Sequence, residues 1–155
     1  MVIMIQIGIG GKMKKTYLCL IIFVGFLLLT GCQSKLKGLP DKPIIFNTGA
    51  LSVDNGDSVY TTVEYNDKVY IVYGNIKSKG LFGDISYAFG DCLGYVEDDK
   101  SRRIYAFADE STDEWLIEYY IDGIMENPVV LREITAKYKK DTPEGVNPFE
   151  DDYWK

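Results

Sequence analysis

The stretch SVYTTVEYNDKVYIVY (residues 58–73) decides the fold class. Apolar or β-branched residues recur at every second position of Ser58–Tyr65, the pattern of a half-buried β-strand. Val59, Thr61, Val63 and Tyr65 fall on one face, and Tyr60, Thr62 and Glu64 fall on the other. The segment Val69–Tyr73 (VYIVY) is a second apolar run of strand length. Two such runs separated by a short polar stretch predict a β-hairpin.

The length of the hairpin loop determines which residues face each other. A two-residue turn at Asn66-Asp67 would pair Tyr65 with Lys68. A three-residue loop would place Val63 opposite Ile71 and keep the apolar faces together. We therefore predict the three-residue loop.

Further strands are indicated along the rest of the chain, separated by charged turns at 97–101 and 109–113. They are Leu93–Val96, Arg103–Ala108, Glu114–Ile121 and Val129–Ile134. In Glu114–Ile121 the set Trp115, Ile117 and Tyr119 is the better core candidate. Phe82, Ile85 and Phe89 within 80–91 have the spacing of one short helix. The sequence predicts a mainly β protein, a small antiparallel meander that forms a curled sheet or barrel or a compact sandwich.

The amino-terminal part of the chain has the pattern of an export signal. Lys14 and Lys15 precede twelve uninterrupted apolar residues, Leu18–Leu29. A basic segment followed by an apolar segment and small residues is typical of a signal peptide. The run is shorter than the roughly 20 apolar residues of a membrane-spanning helix, which argues against a permanent transmembrane anchor.

The residues that follow, Leu29-Thr30-Gly31-Cys32, resemble the lipobox of bacterial lipoproteins. The resemblance implies that the thiol of Cys32 receives a diacylglyceryl group and that cleavage occurs between Gly31 and Cys32. An ordinary signal peptide that happens to end at Cys32 is the alternative. The resemblance also implies a lipid-anchored protein on the extracytoplasmic face of the cell membrane.

These signals divide the chain into five parts. Residues 1–12 precede Met13, which we predict to be the true translational start, and residues 13–31 form the signal peptide. Residues 32–43 contain two prolines and no periodicity and read as a tether. A β-rich domain is predicted for 44–140, and residues 141–155 are predicted to be an acidic, mobile tail. Aromatic residues of this tail would dock either on the domain or on a partner.

Charge and composition exclude several functions. The chain contains no histidine, which excludes histidine-dependent nucleophilic catalysis and histidine-ligated metals. The whole chain has a formal charge of −6, and residues 32–155 alone carry −9. An acidic domain with three arginines does not fit a nucleic-acid partner. We predict no cofactor and no metal.

Residues with possible chemistry have simpler interpretations. Asp54-Asn55-Gly56-Asp57 lacks the spacing of a helix-loop-helix calcium site and reads as a turn. Glu114 and Glu118 would lie about 13 Å apart on one strand, too far for the two-carboxylate mechanism of glycosidases. Cys92 is expected to be a small buried residue rather than a reactive thiol. Most of the aromatic residues are expected to cover the β-rich core and its rim, whereas exposed ones suit glycan stacking and protein contacts equally well. Tyr60, Tyr105 and Tyr120 are the candidates for outward faces.

The segments GYV, RIYAF and EWLIEYY (94–96, 103–107 and 114–120) resemble small lipoproteins of unknown function from low-GC Gram-positive bacteria. We therefore expect a membrane-anchored lipoprotein, not an enzyme, that binds a protein or an envelope component. An immunity-type lipoprotein that sequesters a secreted toxin is a second hypothesis. A carboxylate-dependent hydrolase of envelope polymers is a third.

Overall fold

The computed structural model describes residues 38–53, 58–80, 83–122 and 127–154. The predicted start at Met13, the signal peptide, Cys32 and the first half of the tether lie outside these residues, as do Phe82 and the turn at 54–57. Eight strands and three short 3₁₀ helices form the described part. The strands are β1 (Ile44–Val53), β2 (Ser58–Tyr65), β3 (Lys68–Ile76), β4 (Phe89–Val96), β5 (Asp99–Phe107), β6 (Trp115–Tyr120), β7 (Val129–Glu133) and β8 (Val146–Pro148).

Seven of the strands close into a barrel. Their order is β2-β1-β4-β5-β6-β7-β3, and β3 pairs again with β2. Strands adjacent in sequence pair antiparallel where they meet, as the short loops predict. The parallel pair β1–β4 and the antiparallel pair β3–β7 join strands that are distant in sequence. The mainly β prediction is confirmed, with the barrel as the form it takes.

The prediction of a three-residue loop between β2 and β3 is wrong. Tyr65 pairs with Lys68, and Val63 pairs with Tyr70. Asn66 and Asp67 form the turn with φ values of 50° and 60°. Asn and Asp tolerate this left-handed conformation, and a turn with two such residues matches the twist of the strands it joins. Because β3 carries apolar side chains on both faces, hydrophobicity does not distinguish the two registers.

The barrel interior is one apolar cluster to which each of the seven strands contributes. Its buried members are Phe46, Val63, Tyr70, Val96, Ile104, Leu116 and Leu131, one from each strand. Their burial on all sides shows that the barrel is filled rather than hollow at this level.

A second apolar cluster covers the outer face of the barrel across the neighbouring strands β4, β5, β6, β7 and β3. It includes the buried residues Tyr73, Tyr105, Trp115, Ile117 and Val146. The predicted core residues Trp115 and Ile117 are therefore buried, and Tyr119 packs against the same cluster. Leu116, on the opposite face of β6, is buried in the interior cluster as well. Both faces of β6 are packed, whereas the alternation suggested one.

The carboxyl-terminal residues differ from the predicted mobile tail because they are part of the fold. Strand β8 pairs with β3 beyond the end of β2, and Val146 is buried in the outer cluster. The indole N–H of Trp154 donates a hydrogen bond to the carbonyl of Val72 over 3.0 Å. The aromatic residues of this segment therefore dock on the domain.

The helices are all short. The 3₁₀ helices are Ser86–Ala88, Ile134–Tyr138 and Asp152–Trp154. The first replaces the short helix predicted for 80–91, and Phe89 already begins β4. Nowhere in the described ranges does a helix have the length and apolar character needed to cross a membrane.

Gly94 permits the close contact between the parallel strands β1 and β4. A Cβ atom added at Gly94 would lie 1.8 Å from the carbonyl oxygen of Ile44. This is a backbone atom in a paired strand, so it cannot move aside as a flexible side chain could. Barrel closure on this side therefore requires glycine at position 94.

We predict that Gly94→Ala lowers the free energy of unfolding by about 3 kcal/mol, because β1 and β4 must separate to admit the methyl group. Urea denaturation followed by tryptophan fluorescence measures this change. Gly38→Ala is the matched control, since a Cβ at Gly38 has no neighbour within 4 Å. Equal stability of the two variants would contradict the argument.

Candidate functional site

The barrel is open at one end, where a cavity of about 330 Å³ extends into it. The cavity has an apolar wall and a polar rim. The wall consists of Val63, Val72, Val129 and Leu131, and the rim consists of Thr61, Arg102, Glu118 and Tyr120. Apolar cavities with a few converging polar groups are typical of ligand-binding sites, and barrel openings are a common location for them.

Strand alternation explains why these rim residues share the cavity. Leu116 faces the barrel interior, so Glu118 and Tyr120 on the same strand face inward as well. On the neighbouring strand β5, Ile104 faces the interior, which places Arg102 on the inward side. On β5 and β6, the inward-facing positions beyond the filled interior are therefore occupied by polar residues.

Arg102 and Glu118 form an ion pair at the edge of the apolar wall. Nε of Arg102 donates a hydrogen bond to Oε1 of Glu118 over 2.6 Å, and the two side chains are 18% and 6% exposed. Burial opposes the charged guanidinium, but the hydrogen bond and the charge of Glu118 outweigh it and raise the pKa of Arg102. The guanidinium also lies 5.7 Å from the ring centre of Tyr120. The cavity therefore presents a fixed cation and a fixed anion side by side.

Glu114 and Glu118 have different partners in the structure. Glu118 is tied to Arg102, whereas Glu114 precedes β6 and accepts hydrogen bonds from Arg132 and Lys139. The structure does not bring Glu114 and Glu118 together as a catalytic pair. Within the residues that the model describes, no group of three or more acidic or cysteine side chains is arranged to hold a metal ion.

The three tyrosines predicted to face outward have different surroundings. Tyr120 lines the cavity. Tyr105 is only 2% exposed in the outer cluster, so its predicted exposure is wrong, because the Ile85–Phe89 region covers it. Tyr60 donates a hydrogen bond to Asp151 over 2.8 Å and packs against Tyr153. They do not form a common aromatic surface.

Cys92 is buried, as the sequence predicts. Burial raises the pKa of its thiol, and Sγ lies 3.8 Å from the carbonyl oxygen of Gly94. A thiol in this environment is poorly suited to act as a nucleophile.

Sequence reasoning missed the cavity itself. Thr61 and Arg102 carried no motif, and Glu118 was considered only as a partner of Glu114. Arg102 faces Tyr120 across the strand pair rather than Glu118, so the ion pair is diagonal. Opposite charges on two adjacent strands predict an ion pair only when the strand register is known.

We predict that Glu118→Leu lowers the free energy of unfolding by about 2 kcal/mol, because Arg102 loses its partner beside an apolar wall. The double variant Arg102→Met/Glu118→Leu should regain most of this loss, since no unpaired charge is left. Urea denaturation of the two single variants and the double variant gives the coupling. Additive losses in the double variant would show that the ion pair is not coupled.

Comparisons with protein-family models, with curated proteins and with solved structures find no match.

Proposed function

We propose that the chain is a lipoprotein anchored to the extracytoplasmic face of the cell membrane through lipid on Cys32, and that its barrel acts by binding a protein or an envelope component. One observation carries the proposal. The chain places Lys14-Lys15, the apolar run Leu18–Leu29 and Leu29-Thr30-Gly31-Cys32 in the order that an exported lipoprotein requires. A tetrapeptide alone would be weak support, but its position directly after the apolar run is specific.

The cavity supports binding as the mode of action. Its apolar wall can take up a small apolar group, while Arg102 and Glu118 offer charge-assisted hydrogen bonds to polar atoms of the same ligand. A cavity of about 330 Å³ suits a small molecule or one side chain of a larger partner. The ligand class that we propose is therefore amphipathic.

Strand directions show at which end of the barrel the cavity lies. Strand β1 is parallel to β4, and the antiparallel pairs β4–β5 and β5–β6 make β6 run in the same direction as β1. The cavity includes Tyr120, the last residue of β6, so it lies at the end of the barrel opposite the start of β1. The tether joins the barrel at the start of β1. The opening is therefore not at the end where the tether joins.

Lipidation is tested with Cys32→Ser. We expect mass spectrometry of the wild-type protein from a bacterial host to show a diacylglyceryl thioether at Cys32 as the first residue. Cys32→Ser should lose the lipid and either keep its signal peptide or be released into the medium. Cys92→Ser is the matched control and should remain anchored. An unmodified Cys32 thiol in the wild-type protein would overturn the anchor.

Binding at the cavity is tested by filling it. We predict that Thr61→Trp lowers recovery of the species that the wild-type protein captures from intact cells by about tenfold, because the indole occupies the opening. Lys100→Trp, on the exposed surface, should capture the same species as the wild type. Equal recovery by Thr61→Trp would exclude the cavity as the binding site.

A further inference from the structure

We propose that a groove on the side of the barrel binds the phosphate group of a phosphomonoester. The groove has a volume of about 310 Å³ and is lined by Tyr73, Arg132, Lys137–Lys140 and Trp154. This site is separate from the barrel opening and does not depend on the lipid anchor.

The groove concentrates positive charge in an acidic domain. The described ranges contain eleven lysines and arginines, and Arg132, Lys137, Lys139 and Lys140 all line this groove. Residues 32–155 carry a net charge of −9, so a cationic groove is not the average surface of the domain. A local concentration of charge against the overall sign points to an anionic ligand.

Arg132 organises the groove rather than contacting the ligand. Its side chain is 1% exposed, and Nε and Nη2 both donate hydrogen bonds to Glu114. Nη2 also donates to Asp141 over 2.9 Å, and Nη1 donates to the carbonyl of Lys139 over 3.2 Å. These bonds hold the backbone at 139–141 against the barrel. The backbone that carries Lys139 and Lys140 is therefore fixed at the edge of the groove before any ligand binds.

The acids nearby leave a surplus of positive charge. Glu114 and Asp141 are the two carboxylates bonded to Arg132, so the four cations exceed them by two charges. Glu133 also lies close by, buried, and accepts hydrogen bonds from Thr135. Including Glu133 leaves a surplus of one charge. With or without Glu133 the groove keeps a net positive charge, which attracts a phosphomonoester of about −1.5 to −2 at pH 7.

The donor types favour phosphate over carboxylate. Arg is the usual bidentate partner of a carboxylate, but the guanidinium of Arg132 is already occupied by Glu114 and Asp141. Lys139 is likewise paired with Glu114, so the donors offered to a ligand are the ammonium groups of Lys137 and Lys140. Such groups act as point charges with rotatable N–H bonds and suit the several oxygens of a phosphate. Lys137 lies 4.6 Å from the ring centre of Tyr153, and Tyr138 is 87% exposed at the rim. The hydroxyl of Tyr138 is a further donor.

The test is isothermal titration of glycerol 3-phosphate into the full chain in neutral detergent micelles. We expect saturable binding that Lys137→Gln/Lys140→Gln weakens by about tenfold, because two charge-assisted hydrogen bonds are lost. Lys77→Gln, an exposed lysine outside the groove, is the matched control and should bind as the wild type. Binding should also weaken as salt is raised, because the contacts are exposed to screening.

Two further measurements test whether the lysine variants are folded and whether the charge of the ligand matters. Thermal unfolding of the double variant should match that of the wild type, and Lys140→Gln alone replaces it if the double variant does not fold. Glycerophosphoglycerol, a phosphodiester with one negative charge, should bind more weakly than the monoester, because its attraction to the cationic groove is smaller. Equal affinity would overturn the assignment of a phosphomonoester. No saturable binding of the monoester, unchanged affinity in the lysine variants or an equal loss in Lys77→Gln would overturn the site.

Discussion

The outer half of the structure depends on the interactions of one buried group, the guanidinium of Arg132. The guanidinium lies 4.4 Å from the ring centre of Trp115, 5.2 Å from that of Tyr73 and 5.9 Å from that of Trp154. A buried charge is tolerated only where partners compensate its desolvation, and here Glu114 and Asp141 do so. These partners come from the residue before β6 and from the carboxyl-terminal segment. Their positions are consequently interdependent, and one cation links three strands to the end of the chain.

The extent of the interior apolar cluster explains where the barrel opening begins. The interior cluster takes one buried residue from each of the seven strands and fills the barrel at that level. Where β5 and β6 extend beyond it, the inward-facing positions hold Arg102, Glu118 and Tyr120 instead. Leaving a buried charge without a partner is costly, so Arg102 and Glu118 pair with each other at the opening. The candidate site is thus the place where the inward-facing positions change from apolar to polar.

Particular residues show how far the sequence determines this structure. The alternation of Ser58–Tyr65 predicted the strand and one of its faces, since Val63 and Tyr65 of the predicted set pack in the interior cluster. It did not predict that Thr62, on the other face, is buried as well. The register of Val69–Tyr73 could not, because Tyr70 packs inside the barrel while Tyr73 packs outside it. The carboxyl-terminal segment lacks periodicity because it docks through single residues, Val146 and Trp154. The cavity unites residues from five strands, and only closure of the sheet brings them together.

The late position of β8 and Trp154 in the chain has a consequence for biogenesis. Translation proceeds from the amino terminus, so β3 is synthesised long before β8 follows it. During that interval the β3 edge beyond β2 and the apolar surface around Tyr73 lack their cover. A polypeptide interrupted before β8 would keep this surface uncovered. Proteases that cleave exposed apolar segments would then remove molecules that lack β8.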